Sequence, residues 1–207
     1  MHKKIQIIFD MDGVLLRSDK LYVEIAASLF SREISSDEMS SYVTKGGSDL
    51  FAAVIGDEIS EEKVALFRQA QIDYFDPSKH LYDGVVDILR LLNEHYELSI
   101  LSNKPERVIR EILKKCDLDG IFQSVIGLGS GFKRKPAPDG AKFLMETSKC
   151  SKSIFVGDAY SDWLTANRAE IEFIYAKYGF DTHKKSHLIE MTEFSQLINI
   201  LNHNFHK

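Results

Sequence analysis

Cysteine is scarce in this chain: Cys116 and Cys150 are the only two in 207 residues. A disulfide framework of the kind that staples small secreted domains is excluded, and the pair matches no metal-ligand spacing, so both read as reduced thiols. An excess of basic residues is also missing. Lys and Arg number 26 against 31 Asp and Glu, a net charge of −5, so neither nucleic acid nor an anionic membrane is an expected partner. No apolar run approaches the roughly 20 residues that span a bilayer. Met1-His2-Lys3-Lys4 leads into a short strand rather than the long apolar segment of a signal peptide, and a cytoplasmic location is expected. The seven histidines form no His-Glu-x-x-His arrangement, which argues against a zinc site. Gly127 to Gly131 is glycine-rich but lacks the spacing and the Lys-Ser/Thr ending of a P-loop. There are no internal repeats and no low-complexity segment.

What is present is an ordinary globular composition, 44% apolar and 28% charged, in a chain long enough for one domain with a sizeable insertion or for two small ones. The organising stretch is Ile5-Gln6-Ile7-Ile8-Phe9-Asp10-Met11-Asp12-Gly13-Val14. Its first five residues suit a buried strand. Asp10 and Asp12 follow two apart, and in an extended segment i and i+2 project to the same side. Two carboxylates that close repel by about 4 kcal/mol at an effective dielectric near 20. A hard divalent cation between them is the simplest remedy; an acidic turn closing a strand is the other reading, since Asp-Gly is a common turn pair.

From about Leu16 to His80 only helical spacing is found. Leu21, Ile25 and Leu29 with Tyr22, Ala26 and Phe30 form one apolar face, and Val64, Phe67 and Tyr74 another. Loops after strands in α/β folds usually run about 2–6 residues, so residues 16–80 are an inserted helical subdomain, with 1–15 and 81–207 as the main domain. A helix through Val85, Ile88, Leu89 and Leu92 comes next. The strand Leu98–Leu101 runs into Ser102-Asn103-Lys104-Pro105, where Pro105 is expected in the first helical turn. The following helix buries Ile109, Ile112, Leu113 and Cys116. A strand near Ser124–Ile126 leads to Lys133-Arg134-Lys135-Pro136, and Pro136 disfavours helical geometry at Lys135. A helix with Ala141, Leu144 and Met145 precedes the strand Ser153–Gly157, which ends at Asp158, with Asp162 four residues on. Ile171–Tyr175 reads as a last parallel strand, Phe194 to Leu201 as a closing helix, and His203 to Lys207 as a frayed tail. Alternating strands and helices specify an α/β fold with a doubly wound parallel sheet. Ligands in such sheets sit at the strands' carboxyl ends, where Asp10, Ser102 and Asp158 fall.

Four motifs in order, Asp10-Met11-Asp12-Gly13-Val14, Ser102-Asn103, Lys135-Pro136 and Gly157-Asp158 with Asp162, resemble those of the haloacid dehalogenase-like hydrolase superfamily. The helical-cap branch containing phosphoglycolate phosphatase and β-phosphoglucomutase is the most similar. The resemblance implies a Rossmann-like core with a small all-helical cap inserted after the first strand. It implies Asp10 as nucleophile, forming an aspartyl-phosphate, and Asp12 as acid and then base. Mg²⁺ would be held by Asp10, Asp158 and the main-chain carbonyl of Asp12, with Asp162 supporting the metal's water shell or orienting Lys135. Ser102, Asn103, Gly13 and Lys135 would bind phosphate, Lys135 neutralising the transferring group. Lys133 and Arg134 are read as a solvated basic loop, and Trp163 as packing.

The expected activity is Mg²⁺-dependent hydrolysis of a small phosphomonoester by a monomer or homodimer. A phosphomutase of the β-phosphoglucomutase type is the alternative, and a catalytically silent phosphate-binding regulator a more distant one. Asp12 argues against a dehalogenase, which needs neither metal nor a second acid there. Lys45-Gly46-Gly47-Ser48-Asp49 resembles the mutase cap loop, but Asp49 stands where arginine is general and would repel a distal phosphate. Arg17 stands where relatives usually place aspartate, and is expected either to read an anionic substrate or to be a solvated hinge residue. Glu170 replaces the glycine that commonly ends the fourth motif.

Overall fold

The computed structural model describes residues 5–180 and 189–205. Six parallel strands form one sheet: β1 (Ile5–Phe9), β2 (Glu97–Pro105), β3 (Phe122–Leu128), β4 (Lys152–Gly157), β5 (Glu172–Ala176) and β6 (Ile189–Met191), in the order β3-β2-β1-β4-β5-β6. β1 is central, and all five of its residues are buried, as expected of a parallel strand covered on both faces. The period of two sorts them. Ile5, Ile7 and Phe9 pack with α6 (Val85–His95), α7 (Glu106–Lys115) and α10 (Leu197–Phe205), whereas Ile8 packs with α8 (Asp139–Thr147) and α9 (Tyr160–Ala169). Gln6, the one polar residue in the run, has its amide engaged by Ser99, Ser153 and the Leu144 carbonyl, so its burial leaves no orphaned group.

Between β1 and α6 lie five helices: α1 (Ser18–Phe30), α2 (Ser36–Lys45), α3 (Gly47–Ile55), α4 (Glu61–Asp73) and the single turn α5 (Pro77–His80). The first four pack on one another. α2 and α4 open on Ser35 and Ser60, whose hydroxyls accept from the Glu38 and Lys63 amides. α1 buries Leu21, Tyr22, Ile25 and Ala26, while Leu29 is exposed; left-handed Ser31 stops the helix before another turn can be covered. Where the chain leaves and re-enters the sheet region, Arg17 N–H donates to the His80 carbonyl at 2.7 Å and Tyr82 N–H to the Leu15 carbonyl at 3.1 Å. The helices rejoin the rest through one hydrophobic cluster that runs from Phe9 to Phe67.

Three sequence expectations change. Pro105 ends β2 instead of entering a helix: after a register shift it pairs with Leu128 of β3, so Ser102 and Asn103 are extended and α7 begins at Glu106. A sixth strand, β6, extends the sheet beyond Tyr175; three residues are too few to carry a periodic signal. The closing helix runs to Phe205, so His203 is helical, and His206 and Lys207 lie outside the described residues. Glu170 occupies the left-handed position that ends α9, φ 58°, a place where glycine carries no steric cost.

Candidate active site

β1 and β4 are neighbours, and the chain winds outward from this pair in both directions, so their carboxyl ends flank the crevice of a doubly wound sheet. Asp10 follows β1 and Asp158 follows β4. They line one cavity of about 60 Å³ together with Asp12, Ser102, Asn103 and Lys135. Asp10, Asp158 and Lys135 are all buried. Lys135 Nζ lies 2.7 Å from Asp10 Oδ1 and 2.6 Å from Asp162 Oδ1. The Asp162 contact is a hydrogen bond. The Asp10 contact is an ion pair.

This concentration of acids shifts the groups strongly. Burial, together with the Asp162 and Asp12 carboxylates, outweighs the attraction of Lys135 and raises the Asp10 carboxyl from 3.8 to about 7. Asp158 is raised as well, by burial and then by Asp162 and Asp10. Burial alone would lower the Lys135 ammonium, but Asp10 and Asp162 outweigh it and hold it charged. Oxygens of Asp10, Asp158 and Asp162 lie within 4.8 Å of one another. Of these three, Asp162 is already occupied: Oδ1 accepts from Lys135, and Oδ2 from the Asp158 and Ala159 amides. Proximity makes Asp162 a member of the acid cluster, but its bonding makes it a brace for Lys135 rather than a free ligand. Asp158 Oδ2 accepts from the Phe180 amide. Asp10 and Asp158 therefore remain as carboxylates for a cation, the number Mg²⁺ commonly takes from protein.

The second acid of the clamp has a different setting. Asp12 Oδ1 accepts from Lys104 Nζ at 2.8 Å. The same ammonium donates to Tyr22 Oη of α1 at 2.6 Å, and Tyr22 donates to Gln71 Oε1 of α4 at 3.2 Å. Burial and the two clamp acids hold the Tyr22 phenol well above its ordinary range, hence neutral. Lys104 is only 3% exposed, and sequence reasoning missed it. The available signal was its i+2 relation to Ser102, which shares a side with it only if β2 stays extended past Leu101.

Other expected residues stand elsewhere. Arg17 does not line the cavity: its guanidinium is 3.3 Å from Asp83 and stacks over Tyr82, facing a separate depression. Gly13 donates its amide to the Leu16 carbonyl at 2.9 Å, so that amide is already engaged. With φ +81°, it leaves space that the Asp158 carboxylate fills, and any Cβ there would collide with it. Asn103 lines the cavity, but its side chain clasps the Lys135 backbone, accepting from the amide at 2.9 Å and donating to the carbonyl at 3.2 Å. It shapes the lysine loop instead of offering a free phosphate contact. Ser102 accepts from the Lys104 amide, leaving its own O–H for an anion. Asp49 is exposed in the first turn of α3, where an acid complements the helix dipole.

A family model described as haloacid dehalogenase-like hydrolase matches residues 7–176. The chain belongs to that family and is a hydrolase. It is 27% identical over 193 residues to a phosphoglycolate phosphatase of Pseudomonas putida, covering 84% of this chain and 70% of that one. It is 28% identical over 172 residues to the pyrophosphatase PpaX of Listeria monocytogenes, covering 79% of each. The fold is similar to the crystal structure of a predicted phosphoglycolate phosphatase from Haemophilus somnus, with TM-score 0.77, 22% identity, and 96% of this chain and 97% of that one covered. None of the described helices is long and apolar enough to cross a membrane.

Proposed function

We infer that this hydrolase is a phosphatase: a Mg²⁺-dependent enzyme that cleaves small phosphomonoesters through an aspartyl-phosphate on Asp10, beneath a cap formed by residues 16–80. The observation that carries this reading is the single cavity shared by Asp10, Asp12, Ser102, Lys135 and Asp158. Two buried carboxylates, Asp10 and Asp158, with oxygens within 4.8 Å of one another fit a hard divalent ion. Bound by Asp10, Asp158 and the Asp12 main-chain carbonyl, Mg²⁺ would offset the repulsion between carboxylate and phosphate. Asp10 attacks phosphorus, the P–O bond to the leaving group breaks, and Asp12 gives the departing oxygen its proton. Asp12 then takes a proton from water as that water attacks phosphorus, freeing phosphate and Asp10. Lys135 and the Ser102 hydroxyl carry the charge of the transferring group. The phosphatase names of its relatives support hydrolysis over phosphoryl transfer within a sugar.

The expectation that Asp49 would repel a distal phosphate no longer supports that choice, because Asp49 lines neither cavity of the cleft. The mutase alternative is tested with a hexose 1-phosphate and trace bisphosphate, where isomerised sugar would replace free phosphate. The phosphatase reading itself predicts phosphate release from a broad ester panel with Mg²⁺. That release should be lost in Asp10→Asn by a factor on the order of 10⁴ or more and lost on chelation. A panel with no turnover and no binding of phosphate analogues overturns it.

A further inference from the structure

Beside the acid cavity lies a second one of about 160 Å³, and Asp12, Val43 and Asn103 line both. It therefore opens on the side of the reaction centre where Asp12 meets the departing oxygen. Its wall is apolar on both sides of the cleft, with Leu50, Phe51 and Phe67 from α3 and α4 facing Leu128 of β3. The charged residues are unbalanced. Among the described lining residues Asp12 is the one acid, against Lys104, Arg68 and Arg134. Lys104 is taken by Asp12, which leaves Arg68 and Arg134, both solvent-exposed, facing no further acid among the described lining residues. Among the described residues neither guanidinium has an ion-pair, hydrogen-bond or ring partner. They come from opposite sides, Arg68 from α4 and Arg134 from the loop before Lys135. Arg134 reaches across to the α2–α3 turn: a Cβ built on Gly46 would lie 3.5 Å from its Nη2.

We propose that this second cavity selects a leaving group with an apolar, ring-sized body and a terminal anion held between Arg68 and Arg134. The proposal rests on the phosphatase reading and names its substrate class. A mostly apolar pocket with a few convergent polar groups is how small-ligand sites fix orientation, and a guanidinium fork matches a carboxylate in plane. Glycolate is too short to cover the aromatic wall, and inorganic pyrophosphate has no apolar body to place there.

The test separates binding from turnover. With Mg²⁺ present, 4-carboxybenzylphosphonate and benzylphosphonate, which cannot be hydrolysed, are titrated calorimetrically into wild type, Arg68→Ala, Arg134→Ala and the double variant. Wild type should bind the carboxylated compound about tenfold or more tightly than its neutral partner, the scale of one charge-assisted hydrogen bond. Each single variant should reduce that ratio, and the double variant should bring it to about one. Equal affinities in wild type, or a ratio that survives the double variant, overturns the proposal. In parallel, phosphate release is followed from 4-carboxyphenyl phosphate and phenyl phosphate. Failure of both esters to turn over, with the phosphonate ratio intact, removes the phosphatase reading and leaves the arginine site standing.

Discussion

Two buried lysines divide the cleft into halves that are held in different ways. Lys135 lies among Asp10 and Asp162, and its backbone is clasped by Asn103. All of these partners stand at the ends of sheet strands or the start of a helix that follows one, so this half is fixed by the same packing that forms the sheet. Lys104 also rises from a strand, yet its ammonium is shared between Asp12 and Tyr22, and Tyr22 leans on Gln71. Half of those partners belong to helices inserted between β1 and α6. One half of the cleft is held by groups at the sheet; the other draws Tyr22 and Gln71 from α1 and α4. A nucleophile needs the first kind of setting. An acid that must exchange protons with a leaving group and then with water can use the second.

Replacing each lysine by methionine breaks the comparison most directly. Lys135→Met removes the one cation that, among the described residues, lies beside the three buried acids. Phosphate release should fall by about 10²–10³, and unfolding free energy at pH 8 by about 3 kcal/mol, since breaking a buried pair strands the remaining charge. Lys104→Met leaves Asp12 partly solvated, so its effect should be smaller, about tenfold to a hundredfold, and carried by kcat more than KM because Lys104 acts through Asp12. Steady-state kinetics and urea unfolding on both variants provide the check. Equal losses in the two variants would erase the distinction.

The sheet-anchored half was the more legible in the sequence, for physical reasons. Asp10 and Asp158 each end a short buried run, and a strand written in β-branched residues announces both its burial and its carboxyl end. Lys135 was marked as a loop residue by the proline after it. Misreadings cluster where geometry depends on another element. Ser102 and Asn103 pass for a helix start because nothing local reveals that Pro105 will pair with Leu128. With that, Lys104 lost its place beside Asp12. Arg134 is a solvent-exposed loop residue, as the sequence suggests, but that it also lines a cavity with α3 and α4 is not legible locally. Arg17 is unusual for its position, but position along the chain does not fix direction, and its guanidinium faces Asp83.

The acid half also carries a pH signature. The folded protein holds the Asp10 proton up to about pH 7, whereas an unfolded chain releases it near 3.8. Between those values the native state binds more protons than the unfolded state, so this site contributes stability that is lost as pH rises through about 7. Asp158 is shifted in the same direction. A divalent cation competes with those protons and binds best once they have left. Thermal unfolding should thus show a larger Mg²⁺-induced rise in Tm at pH 8 than at pH 5. At a hundred times Kd, the gain at pH 8 is about 2.7 kcal/mol, or roughly 5–10 °C for a chain of this size. An equal rise at both pH values would show that the ion binds away from these carboxylates.

The smallest expected effect sharpens the contrast best, because it leaves every group lining the acid cavity in place. Tyr22→Phe deletes one hydroxyl, which accepts from Lys104 and donates to Gln71. A buried neutral hydrogen bond contributes about 1 kcal/mol net, and one to a charged group about 1.5–3. The ring still packs edge-on against Phe67 and beneath the Lys104 ammonium, so the helix face is retained. If Lys104 is positioned by the inserted helices, kcat should fall several-fold. Tyr22→Phe combined with Lys104→Met should then cost little more than Lys104→Met alone, because both changes disable the same link. Additive losses would mean that Tyr22 supports the fold of the helices and has no hold on Asp12.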